Sequence, residues 1–228
     1  MKDLSTELMS ELQSKISFTI PIFGGIPVPS SVVVTWGIMA FLMILTLIFV
    51  KNLKKLPTGP QIYVEAVVGF INNFFEDILG KEGKRYIPYL GTVTLYLACS
   101  NVIGILGFTP PTKDLNITVG LAIMSIILIE YSGIHAKGKK GYIKSFSEPM
   151  AILAPINILE IFIRPLSLCM RLFGNILGGF VVMELIKIVA PVIIPIPFSF
   201  YFDIFDGLIQ AYVFVFLTSL FMKEKMED

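Results

Sequence analysis

The feature that most constrains this chain is the length of its nearly uncharged apolar runs. A helix crosses the hydrocarbon core of a bilayer with about 20 predominantly apolar residues. Residues 31–50, 87–108, 117–134, 150–189 and 201–222 each offer such a run. Hydrophobic residues make up 55% of the 228 and charged ones only 15%, against roughly 25% charged in ordinary soluble domains. A soluble fold of this size has no interior large enough to hide so much apolar surface. The same composition excludes a disordered chain, a collagen and a disulfide scaffold. A formal net charge of +1 supplies no field to draw in a nucleic acid. The fold class that remains is an all-α polytopic membrane protein. It has about five transmembrane helices, including a long, strongly tilted helical hairpin, plus an interfacial helix.

Residues 31–228 read as one membrane domain, preceded over 1–30 by an N-terminal amphipathic helix and an outer loop. The opening MKDLSTELMSELQSKISF mixes charges and lacks an apolar core, unlike a cleaved signal peptide. PIFGGIPVPSS reads as the loop. Between the first two spans, QIYVEAVVGFINNFFEDILG places apolar residues at helical spacing with acids on the other face, the pattern of a helix lying at the interface over about 60–80. Cys99 and Cys169 stand far apart in apolar runs and read as small buried residues, not as a redox or metal pair. Twelve of the 18 basic residues fall on one side of the five-span arrangement: Lys51, Lys54, Lys55, Lys81, Lys84, Arg85, Lys137, Lys139, Lys140, Lys144, Lys223 and Lys225. By the positive-inside rule the N-terminus is outside and the C-terminus cytoplasmic.

The fourth segment is too long to be a simple anchor. Nearly forty residues at about 1.5 Å each give a rod of roughly 57 Å, against a hydrocarbon core of about 30 Å. It must tilt, bend or break near Pro155 or Pro165. At about 100° per residue, Glu160, Arg164, Asn175 and Gly178 all fall within about 40° of Arg171. Placing an arginine at mid-bilayer costs at least ~2.5–3.5 kcal/mol on insertion scales, so this stripe must face protein, water or a carboxylate. Gly174 and Gly178 form a GxxxG pair beside it, through which another helix can approach closely. Glu184 lies about 140° from the stripe. In the fifth span Asp203, Asp206 and Gln210 share a face at i, i+3 and i+7. The simplest packing gathers Glu184, Asp203 and Asp206 around one aqueous cavity near the outer surface.

Each polar group also has a plainer reading. Arg171 could be a structural ion-pair partner of Glu160 or of an aspartate, and Arg164 could pair with Glu160 one turn away. Asn175 could satisfy an interhelical hydrogen bond. Asp203 and Asp206 could be solvated at the headgroups. Glu130 could snorkel to the surface, and His135 reads as a solvated loop residue beside lysines.

The stretch PINILEIFIRPLSLCMRLFGNILGG resembles subunit a of the F-type ATP synthases, as do SNVIGILGFTPPTKDLNITVGLA and GLIQAYVFVFLTSLF, in the same order and spacing over about residues 60–222. The resemblance implies a stator subunit lying against a rotating ring of c subunits, each with an ion-binding carboxylate. The family's essential arginine falls on Arg171, its polar partners on Asn175 and Gln210, and its upstream acid on Glu160. The Asp and Asn of its outer loop fall on Asp114 and Asn116. Two departures stand out. Phe180 occupies the position where many members carry Glu, with Glu184 one turn later, and Asp203 stands where some bacterial members carry His. The Lys common before the proline is Arg164 here. The resemblance further implies the c-ring, the subunit b peripheral stalk, the remaining synthase subunits and lipid as partners, with no cofactor, metal or nucleic acid. It points to an ion-translocating, non-catalytic role, with H+ or Na+ as the ion, and the lysine-rich chain with its charged N-terminus reads as bacterial, hence an inner-membrane location. A self-contained secondary transporter is the alternative, but the chain has no convincing internal repeat. An intramembrane enzyme is disfavoured by the single His, and a passive anchor by the buried Arg/Asn/Gln set.

Overall fold

The computed structural model describes residues 16–21, 26–50, 59–146, 154–189 and 195–227. It opens with a β-hairpin, β1 (Ile16–Ile20) pairing antiparallel with β2 (Ile26–Pro29). Here the structure departs from the amphipathic helix expected through residue 18 and the loop expected after it. The local reason is the alternation Ile16-Ser17-Phe18-Thr19-Ile20, a period-two pattern of β-formers. The rest of the expected N-terminal helix, residues 1–15, lies outside the described residues.

Five helices are long and apolar enough to cross a membrane. Helix α1 (Ser30–Val50) is apolar around its whole circumference and exposed along most of its length, so most of its surface faces away from the rest of this chain. Helix α2 (Pro60–Leu79) falls outside that set of five. It starts at Gly59-Pro60, with proline in the first turn where no amide donor is needed. It is one-sided: Phe75 and Leu79 are buried, while Tyr63 and Phe70 are exposed. A 3-10 turn (Glu82–Tyr86) leads into α3 (Ile87–Val102), which a second 3-10 turn extends to Leu106.

Helix α4 (Leu115–Ser145) is capped by Asp114, whose carboxylate accepts from the Asn116 amide at 3.0 Å. It outruns the expected 117–134 by more than a turn. The extra length contains a break at Gly138, whose φ of 72° is open to glycine at no steric cost. That break folds the last turns back, so that the Tyr142 hydroxyl donates to Glu130. Glu130 is therefore tied into the chain and does not simply snorkel. His135, expected in a loop, sits on this helix, hydrogen-bonded to Arg85 and stacked on Tyr131.

The hairpin of α5 (Ala154–Val189) and α6 (Pro195–Glu227) dominates the molecule. At about 1.5 Å per residue both helices exceed the ~30 Å hydrocarbon thickness by more than half. Helix α4 packs along both of them, and α3 packs on α6. One apolar core joins Phe75 of α2, Leu90 and Leu97 of α3, Ile129 of α4, Leu168 and Leu172 of α5, and Phe214, Val215 and Met222 of α6. Helix α6 is not uniform, because Phe200–Asp206 forms a π-helical segment.

Candidate functional site

Helix α5 buries one face and presents another. Leu168, Leu172, Ile176 and Met183 are buried, and they fall about 60° to 140° round the helix from Arg171. Arg171, Gly174, Asn175 and Gly178 are exposed. Arg171 makes no hydrogen bond or ion pair among the described residues. Beside it Asn175 Nδ2 donates to Gln210 Oε1 at 2.6 Å, and Gln210 itself is 3% exposed. This amide pair ties α5 to α6 within about one turn of the arginine.

Arg164 lies on nearly the same stripe by sequence spacing, yet its fate is opposite. It is 8% exposed. Its Nη2 bonds to Glu160, 2.5 Å away on the same helix, and to Glu224 near the end of α6. Its guanidinium carbon stands 4.8 Å from the Phe221 ring centroid. The Glu160 link was legible as an i, i+4 pair. Glu224 was not, because it is distant in sequence.

A cavity of about 530 Å³ opens where α3 ends, α5 ends and α6 begins. Its wall contains Glu184 from α5 and both Asp203 and Asp206 from the π segment, together with Asn175. The three acids are thus brought together, and the cavity reaches the amide pair beside Arg171. Asp203 accepts from Ser199 Oγ at 2.5 Å. Asp206 makes no hydrogen bond or ion pair among the described residues. Glu184 pairs with Lys187 Nζ at 2.8 Å, and Lys187 also lines the cavity. Phe180 is on the wall as well, with the Lys113 ammonium 3.3 Å from its ring centroid.

The packing that lets Asp203 lean against α3 depends on Gly104. A Cβ there would come within 2.7 Å of Asp203 Oδ1, so any other residue at 104 would make the Asp203 carboxylate shift. Asn101, which sequence reasoning did not single out, is 1% exposed and reaches the cavity wall. Its Nδ2 donates to the Gly207 carbonyl at 2.8 Å, and its Oδ1 accepts from Thr112 at 2.8 Å. It locks α3 to the residue that follows the π segment. The available signal was an asparagine standing alone inside an apolar span.

Asp114 and Asn116 do not line this cavity. Asp114 is buried, accepts from Ser31 Oγ at 2.6 Å and caps α4. Asn116, exposed, is in the first turn of that helix. Among the described residues no group of three or more His, Cys, Asp or Glu side chains is arranged to hold a metal.

The fold and the site together define a class: a multi-pass helical membrane protein that turns a fixed positive charge outward beside an acidic cavity. Sequence comparison gives the family. The profile described as ATP synthase A chain matches residues 32–223, and the chain belongs to that family. It is 34% identical over 220 residues to "ATP synthase subunit a, sodium ion specific" of Propionigenium modestum, covering 90% of this chain and 76% of the relative. It is 37% identical over 196 residues to ATP synthase subunit a of Moorella thermoacetica, covering 86% and 89%. Against the Geobacter sulfurreducens subunit a it is 37% identical over 199 residues, covering 85% and 86%. The chain is accordingly a membrane-sector component of an F-type, rotary ATP synthase.

Proposed function

We propose that this subunit carries ions between two half-channels by way of the rotor, and that Arg171 separates the two. The observation that carries this reading is the exposed Arg171, unpaired among the described residues and one helical turn from Asn175, which lines an acidic cavity. A guanidinium stays charged at any accessible pH and is costly to leave against lipid. A body that supplies carboxylates to that face removes the cost, and a ring of c subunits is such a body. The exposed stripe at Gly174 and Gly178 gives it room to come close.

In this mechanism an ion, H+ or Na+, enters from outside through the cavity and passes Glu184, Asp203 and Asp206 toward Asn175 and Gln210. Asp114 and Asn116 support the outer loop that borders the route. The ion neutralises a rotor carboxylate, which can then face lipid because its charge no longer has to be desolvated. The ring turns. A loaded site returning past Arg171 is driven to ionise, and its ion leaves on the cytoplasmic side near Glu160. Arg171 also repels cations and so blocks a direct leak between the two routes. Each elementary charge crossing 100 mV releases about 2.3 kcal/mol, so several crossings are needed per ATP made elsewhere in the complex. The subunit itself performs no chemistry on nucleotide. The C-terminus is cytoplasmic and the N-terminus outside, a reading supported by the lysine-rich turns, and subunit b of the peripheral stalk holds the subunit against rotation.

The test is ATP-driven ion pumping by the reconstituted complex. Arg171→Lys is expected to abolish coupled pumping while the complex still assembles. Glu184→Gln is expected to slow pumping with assembly intact. Pumping at the normal rate by Arg171→Lys would remove the arginine from its role. An unchanged rate in Glu184→Gln would remove Glu184 from the route.

A further inference from the structure

We infer that Lys187 sets the ion affinity of the outer route, acting as a tethered competitor for the ion. The inference rests on the reading of the acidic cavity as the outer half-channel. Lys187 Nζ lies 2.8 Å from Glu184 Oε1, where a hydrated cation approaching that carboxylate would sit. The two side chains are 52% and 22% exposed, so the lysine is the more solvent-accessible member and the glutamate the deeper one. Both line the same cavity.

The charge pattern of the cavity makes this more than a surface pair. From α6, Asp203 is satisfied by Ser199, while Asp206 is unpaired among the described residues. From the loop before α4, Lys113 stands over the Phe180 ring of the same wall. Of the three acids in the wall, only Glu184 has an ammonium bound to it among the described residues. An entering cation therefore meets Glu184 already occupied and must displace Lys187 to use it. Asp203 and Asp206 are reached without such competition. The resident ammonium sets how much external ion is needed to fill the first position, whereas Arg171 sets where the ion is given up.

Removing the ammonium lowers that requirement. A partly exposed pair of this kind contributes a modest amount in water, so the expected effect is about two- to fivefold in half-saturating ion concentration. The experiment uses the whole synthase in proteoliposomes, with ATP synthesis driven by an imposed membrane potential. The ion on the side opposite the catalytic sector is titrated as Na+ at fixed pH and as H+ at fixed Na+. Lys187→Met is expected to lower the half-saturating concentration of the coupling ion about two- to fivefold, and Lys187→Arg to keep the original value. In a Glu184→Gln background Lys187→Met is expected to cause no further shift. An unchanged or raised value in Lys187→Met, an equal fall in Lys187→Arg, or an undiminished shift in the Glu184→Gln background overturns the inference. Failure of the underlying reading looks different: Glu184→Gln and Asp206→Asn would both then synthesise ATP at the original rate with the original ion dependence.

Discussion

Two arginines on one helical stripe have come to opposite ends, and the difference is made by what lies across from each. Arg164 meets the last turns of α6, where Glu224 and Phe221 close over it, with Glu160 on its own helix. Arg171 makes no hydrogen bond or ion pair among the described residues and is exposed. The pattern of residues around Arg171 was readable from sequence because a buried or membrane-level charge is rare and must be functional or paired. The partner of Arg164 was not readable, since helical spacing reveals only neighbours three or four residues away. Arg164 acts as a clamp between the first half of α5 and the last turns of α6. Breaking a fully buried pair costs 3–5 kcal/mol, but Glu160 and Glu224 remain 40% and 45% exposed, so a loss of about 1–2 kcal/mol is expected for Arg164→Met. Glu224→Gln should lose less, because Glu160 still holds the guanidinium. Thermal dissociation of the purified membrane sector measures this. A midpoint unmoved by Arg164→Met would show that the clamp carries no load.

At the scale of elements, the apolar runs overlap five helices long and apolar enough to cross a membrane, because length and hydropathy decide whether a helix can cross a bilayer. What they missed were the local irregularities. The β-hairpin rests on a five-residue alternation too short to stand out beside a charged helix-like opening. The break in α4 rests on one glycine, and glycine in a helical pattern does not announce whether it bends the chain. The π segment Phe200–Asp206 has no sequence signature at all. Its effect on the site is direct, since a π turn rotates less per residue than an α turn and so changes the relative bearing of Ser199, Asp203 and Gln210. The spacing argument for one acidic face assumed an uninterrupted α-helix. The three acids still share a cavity because the π segment re-aims Asp203 against Gly104 while the Gln210 turn keeps its contact with Asn175. Deleting Phe205, an exposed residue, should restore α-helical winding and turn Asp203 away from the cavity. The expected result is at least a tenfold loss of ATP-driven pumping (about 1.4 kcal/mol in barrier), with the subunit still present in the purified complex. Retained pumping would mean that the π winding is incidental to the route.

At the scale of the whole molecule, the subunit has a packed side and an unpacked one, and the boundary between them runs down α5. Gly178 and Gly179 are adjacent and lie on either side of it. A Cβ built on Gly178 meets nothing within 4 Å, whereas one on Gly179 comes within 3.2 Å of the Phe202 ring. A bulky residue at 179 therefore disturbs the chain's own interior and displaces the π segment. A side chain starting at 178 meets no neighbour among the described residues within 4 Å of its Cβ. In lipid alone an added leucine at that position is favourable by roughly 0.3–0.6 kcal/mol, so Gly178→Leu should leave insertion and the stability of the isolated subunit intact. If a rotor passes close to that face, the same side chain obstructs it, and ATP-driven pumping should fall while the subunit's level in the membrane does not. Gly179→Leu should instead lower both together. Comparing the two variants separates a surface that meets only lipid from one that meets a moving partner. Equal pumping by Gly178→Leu and the original protein would mean that the arginine-bearing face stands clear of the rotor.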